Sequence, residues 1–126
     1  MYSFVCIQGW GFDERGKFLM RFENPYMSMF MKICDLQVWV LVHSYLYYEC
    51  DVNIVEDKVY DDNMRQLNAM MKLNPEDAEK SPYMYVFRGF TPDTGFDLWH
   101  KLSKTDKEYV RKKSRQAINA CKRKRL

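Results

Sequence analysis

The chain has 126 residues, 47% apolar and 29% charged, which suits one domain over residues 1–126 and excludes a multidomain enzyme. Its longest apolar run, Val38–Val42, is far below the ~20 residues of a membrane-spanning helix. Four scattered cysteines without a Cys-x-x-Cys pair give neither a disulfide framework nor zinc spacing, so no metal is expected.

The net charge of +3 conceals an asymmetry. Eight basic residues and no acidic one lie from Arg111 onward, leaving 12 basic against 17 acidic residues, or −5, for residues 1–110. A weakly acidic body therefore carries a basic tail. Nine Tyr, eight Phe and three Trp supply enough bulky apolar surface to give so short a chain a core. No charged-then-apolar leader opens the sequence, and reduced thiols in a cytoplasm are the default expectation.

In chain order, residues 1–26 predict a small hairpin: β-formers at Tyr2–Gln8, a turn at Gly9–Gly16 and a return over Lys17–Phe22. Residues 28–50 contain the β-branched run Val38-Trp39-Val40-Leu41-Val42, which would pass for a buried strand. Length without an internal Gly or Pro favours a helix. A loop over 51–56 leads to a second helix that opens at Glu56 or Asp57. On it, Tyr60, Met64, Leu67 and Met71 form one apolar stripe, and Asn74-Pro75 ends it. Glu76–Pro82 reads as a polar linker. Tyr83–Phe87 alternates as a strand would, Phe96–Leu102 reads as a short helix, and Ser103–Asp106 as a capping box for a last helix. On that helix Val110, Ala117, Ile118 and Cys121 mark the inner face.

The segment His43–Leu67 carries the most specific pattern. Tyr47-Tyr48, then eight residues, then Asp57-x-x-Tyr60-Asp61, then five residues to Leu67, resembles the N-terminal Ia domain of NAD-dependent DNA ligases. Over this fifth of the chain, the resemblance implies a helix–loop–helix. It also implies that Tyr47, Tyr48, Asp57, Tyr60 and Asp61 grip the nicotinamide mononucleotide (NMN) half of NAD. An aromatic face suits a flat cationic ring, and carboxylates suit the ring charge and ribose hydroxyls. Glu56 and Val59 depart from the family pattern, and Asn53 stands near the place of a loop proline. The lysine of the family's Lys-x-Asp-Gly adenylation motif is absent, so the resemblance implies binding of NMN or NAD without ligase catalysis. Taken singly, Tyr60 reads as core and Asp57 as a helix-start residue.

The expected fold is α+β and mainly helical: this helix–loop–helix over 28–74, the hairpin extension over 1–26, and a strand plus C-terminal helices over 82–126. Other catalytic patterns are weak. Adjacent helical residues such as His43 and Ser44 point apart, and Asp93-Thr94-Gly95 fits a turn. Arg111, Lys112, Lys113, Arg115, Lys122, Arg123, Lys124 and Arg125 are candidate contacts to nucleic acid or to a host protein, against the alternative of a solvated helix end. Stand-alone chains of this look resemble accessory proteins of bacteriophages, which would place it in a host cytoplasm.

Overall fold

Helix α1 (Met29–Tyr48) runs through the centre of the molecule and meets nearly every other helix. Ser28 caps it by accepting a hydrogen bond from the Met31 N–H at 3.2 Å. Ile33, Leu36, Trp39, Val40 and Val42 are fully buried, and so are polar Gln37 and Ser44. Burial on every side explains why the run 38–42 shows no helical amphipathicity: a helix surrounded by protein needs no polar face. The computed structural model describes the backbone of residues 5–7, 10–12 and 28–125 and the side chains of residues 28–122.

Helix α1 ends in a tight reversal. Asp51 adopts the left-handed conformation at φ 54°, which Asp tolerates better than most residues. The Val52 N–H bonds back to the Leu46 carbonyl at 2.8 Å. Helix α2 (Asp57–Leu73) then returns along α1. Its stripe of Tyr60, Met64, Leu67 and Met71 is buried, joined by Val59, Asn63 and Met70.

Pro75 does more than end α2. It opens helix α3 (Pro75–Glu79), where its missing N–H costs nothing at the first position. The expected polar linker is thus partly helical, with Ala78 facing inward. Beyond it, Ser81 donates to the Gln37 side-chain oxygen, and Gln37 Nε2 reaches Met71 Sδ at 3.4 Å. This polar knot joins α1, α2 and the turn after α3.

The strand expected at Tyr83–Phe87 is instead helix α4 (Met84–Phe87). Its backbone bonds are local, with Val86 N–H to Tyr83 O at 2.9 Å and Arg88 N–H to Met84 O at 2.9 Å. Neighbouring Val86 and Phe87 are both buried, which an alternating strand would not allow. Gly89, at φ +78°, ends the turn in the left-handed region that suits glycine. A 3-10 turn at Gly95–Asp97 runs into helix α5 (Leu98–Lys101).

Helix α6 (Lys104–Arg125) packs on α1, and it buries Val110, Ala117 and, unexpectedly, Ser114 and Lys113. Its capping box is completed by a third residue. Ser103 Oγ accepts from the Asp106 N–H at 3.2 Å, as the sequence predicts. Asp is a methylene shorter than Glu, and the Tyr85 hydroxyl bridges the gap. It accepts from the Ser103 N–H at 3.0 Å and donates to Asp106 Oδ2 at 2.6 Å.

The described chain is mainly helical. Two three-residue strands, β1 (Val5–Ile7) and β2 (Trp10–Phe12), pair antiparallel with Val5 opposite Phe12. The return strand expected at Lys17–Phe22 lies outside the described residues. Among the described residues, no helix is long and apolar enough to cross a membrane.

Candidate functional site

The α1–α2 reversal brings the end of one helix beside the start of the next. On α1, Ser44, Tyr47 and Tyr48 share a face by their i, i+3, i+4 spacing. On α2, Tyr60 points back at them, and its hydroxyl pairs with Ser44 Oγ at 2.7 Å. The Tyr47 ring lies nearly parallel to Tyr60, with centroids 6.1 Å apart and 11° between planes. Tyr48 stands edge-on to Tyr47 at 4.8 Å. Tyr60 is therefore both core, as its stripe position predicts, and the floor of an aromatic cluster. Tyr47 and Tyr48 stay 41% and 45% exposed, which leaves their faces open to a ligand.

Asp57 and Asp61 complete the set, one turn apart on the exposed side of α2. Asn53 Nδ2 donates to Asp57 Oδ1 at 3.4 Å, so the residue near the place of the missing loop proline steadies the first aspartate. Both carboxylates act on Tyr48. Its phenol is pushed above the ordinary value first by burial, then by the negative potential of Tyr47, Asp61 and Asp57. The Tyr60 phenol is pushed up to about 12, chiefly by burial, with the Ser44 hydrogen bond opposing. Both hydroxyls stay protonated at neutral pH. The five residues that the sequence singles out thus stand together at one partly exposed place.

Two members of the cluster escape sequence reasoning. Phe96, 56% exposed, stands edge-on to Tyr48 with centroids 6.4 Å apart, and extends the aromatic wall. Gly95 is pressed against Tyr60, and a Cβ there would run into the Tyr60 hydroxyl. The only sequence signal for either was an apolar residue following glycine in a turn. The turn itself is real: Thr94 N–H bonds to Thr91 O at 3.0 Å, and Thr94 Oγ1 to the same carbonyl at 2.8 Å.

The basic residues near the grip face elsewhere. Lys58 and Arg65 reach Asp62 at 3.4 and 3.5 Å on the neighbouring face of α2. On α6, Arg111 and Lys107 lie over the Trp99 ring at 5.1 and 5.4 Å, and Trp99 packs against Tyr45 at 4.2 Å with the rings tilted by 38°. Lys112, Arg115 and Lys122 are exposed. Lys113 corrects the expectation of a solvated basic contact, because it is 1% exposed with its ammonium 5.7 Å from the Tyr109 ring centre. At 3.6 residues per turn it falls on the buried Val110–Ala117 side of the helix. The side chains of Arg123, Lys124 and Arg125 lie outside those described.

His43 and Ser44 diverge as adjacent helical residues must. The His43 ring lies tilted by 34° against Trp39 with centroids 4.1 Å apart, and burial drives its pKa down to about 3, so it is neutral at physiological pH. Ser44 is occupied by Tyr60. Cys34, Cys50 and Cys121 are free thiols, and burial raises the Cys34 thiol above its ordinary value. Among the described residues, no group of three His, Cys, Asp or Glu could hold a metal ion.

No family model matches this chain, and neither does any curated protein or solved structure.

Proposed function

We propose that the chain is a non-catalytic nucleotide-binding module that grips the nicotinamide mononucleotide part of NMN or NAD. In this reading it is an α+β variant of the ligase Ia helix–loop–helix with an N-terminal hairpin, acting as a bacteriophage accessory protein in a host cytoplasm. One observation carries the reading. Tyr47, Tyr48, Asp57, Tyr60 and Asp61, spread over fifteen residues, converge on one exposed aromatic and acidic place. Exposed tyrosines suit a flat cationic ring, and carboxylates that no lysine or arginine among the described residues pairs with suit its charge and the ribose hydroxyls. Titration calorimetry with NMN and NAD at millimolar concentration tests it. Saturable heat and a raised melting temperature are expected, since ligand at ~100 times its dissociation constant stabilises by roughly 2.7 kcal/mol. Absence of both would reject the reading.

A second reading rests on α6. Arg111, Lys112, Arg115 and Lys122 fall within about 100° of the helix circumference, and all are exposed. Such a stripe suits phosphate backbones or an acidic host protein. Duplex binding through it would be sequence-independent and would weaken with salt at a log–log slope near −0.9 per phosphate. Gel shifts at several salt concentrations decide it, and no shift at low salt would reduce the stripe to a solvated helix face.

A further inference from the structure

The grip is lined by charge of one sign. Asp57 and Asp61 stand beside Tyr48, with Glu56 exposed just before them. The ionisable groups that raise Tyr48 are Tyr47, Asp61 and Asp57; those that raise Tyr60 are Tyr48, Asp61 and Tyr47. Among the described residues, no lysine or arginine acts on either phenol. The nearest cations on α2, Lys58 and Arg65, belong to Asp62 on another face. Arg111 and Lys107 sit over Trp99. The third aromatic wall, Phe96, adds surface without charge, and it is held in place by the close packing of Gly95 on Tyr60.

A site of this kind attracts a cationic ring and repels a phosphate. A phosphate ester carries about −1.5 to −2 at neutral pH, and among the described residues no lysine or arginine pairs with Asp57 or Asp61 or acts on the tyrosines to offset that charge. We propose that the grip selects its ligand by the positive charge of the ring, taking N-substituted pyridinium nucleosides in preference to the corresponding phosphorylated nucleotides. The proposal rests on the nicotinamide reading above and deepens it: the riboside portion supplies the affinity and the phosphate subtracts from it. Phe96 then sets how much ring surface is covered, and Asp57 and Asp61 set the charge preference. Reducing the ring to the dihydro form leaves stacking intact but removes the cation, and with it the attraction of the carboxylates.

Calorimetric titration of the full chain with nicotinamide riboside, NMN and dihydronicotinamide riboside, at low and moderate ionic strength, tests this. The oxidised riboside is expected to bind at least about tenfold more tightly than either of the others, a difference that narrows with salt. In D57N/D61N the riboside should fall to within roughly threefold of NMN, because neutral amides neither attract the ring nor repel the phosphate. Phe96→Leu should weaken all three ligands by a similar factor and leave their ratios unchanged. Both variants alter exposed positions, and their melting curves verify that they fold. NMN binding as tightly as the riboside, or the dihydro form matching the oxidised one, would overturn the charge-selection proposal while leaving the nicotinamide reading in place. No binding of any of the three would overturn both.

Discussion

Gly95→Ala probes the contact that holds the Phe96 wall over the aromatic floor. A methyl group at Gly95 would run into the Tyr60 hydroxyl and come within 3.0 Å of Met64 Cε. Among the described glycines only Gly89 has a positive φ, so the penalty at Gly95 is steric and not one of backbone conformation. Overpacking of this kind costs about 1–3 kcal/mol, and a stiffer unfolded chain returns ~0.4–1 kcal/mol of it. A net loss of about 1–2 kcal/mol would lower the melting temperature by roughly 4–8 °C for a chain of this length. Tyr60→Phe alone removes the 2.7 Å bond to Ser44, at a cost of ~1 kcal/mol. In the double variant the missing hydroxyl leaves room for the methyl, so the two losses should fall short of their sum by ~1 kcal/mol or more. Urea unfolding followed by circular dichroism, with m-values held constant across the cycle, measures the coupling. Strict additivity would refute the packing of the Gly95 turn on Tyr60, and with it the place of Phe96 in the site.

Stability should also fall with acid through His43. Its folded pKa of about 3 lies below the unfolded value of ~6.5, so its contribution is whole above pH 6.5 and is lost as pH falls toward 3, by about 1.4 kcal/mol per unit. Unfolding titrations between pH 6.5 and 5 should show a loss of ~2 kcal/mol that His43→Phe, which keeps a ring against Trp39, flattens. Tyr85→Phe should destabilise by ~1 kcal/mol despite exposure, because it breaks the relay from the Ser103 N–H to Asp106, and Ser103→Ala should cost a further ~1 kcal/mol in denaturant melts, because it removes the separate Oγ bond to the Asp106 N–H. Lys113→Ala should cost about 1–3 kcal/mol and Lys112→Ala under ~0.5 kcal/mol in the same melts, one side chain being buried and its neighbour exposed. Equal costs at the two lysines would contradict the placement of α6.

The two long helices were legible because each carries a signal that survives averaging. For α1 it is length without Gly or Pro, and for α2 a stripe bounded by an acidic start and Asn74-Pro75. Tyr83–Phe87 misled because five residues cannot separate a period of two from one helical turn, and a lone turn needs no strand partner. Lys113 misled because counting charge along a tail says nothing of which side of the helix meets α1. The tyrosine and aspartate set was singled out by the family resemblance, not by helical periodicity, which read Tyr60 as core and Asp57 as a helix start; the α1–α2 reversal then brings these positions of consecutive helices together. Phe96 and Gly95 were not, because some thirty-five residues of chain intervene and only tertiary packing returns them to Tyr60. Tyr85 as the missing arm of the α6 cap is the same case: the local motif was visible, its completing partner was not.

The central claim is that a nicotinamide ring lodges among Tyr47, Tyr48 and Tyr60, and it is met most directly by NMR of the tyrosine rings during titration with nicotinamide riboside. Single Tyr→Phe variants assign each resonance. The account predicts upfield ring-current shifts that saturate together at Tyr47 and Tyr48, a smaller response at the buried Tyr60, and none at Tyr85 or Tyr109 on the α4–α6 side. Rings at Tyr47 and Tyr48 that stay unmoved while the ligand saturates another part of the chain, or rings that never respond at all, would contradict it.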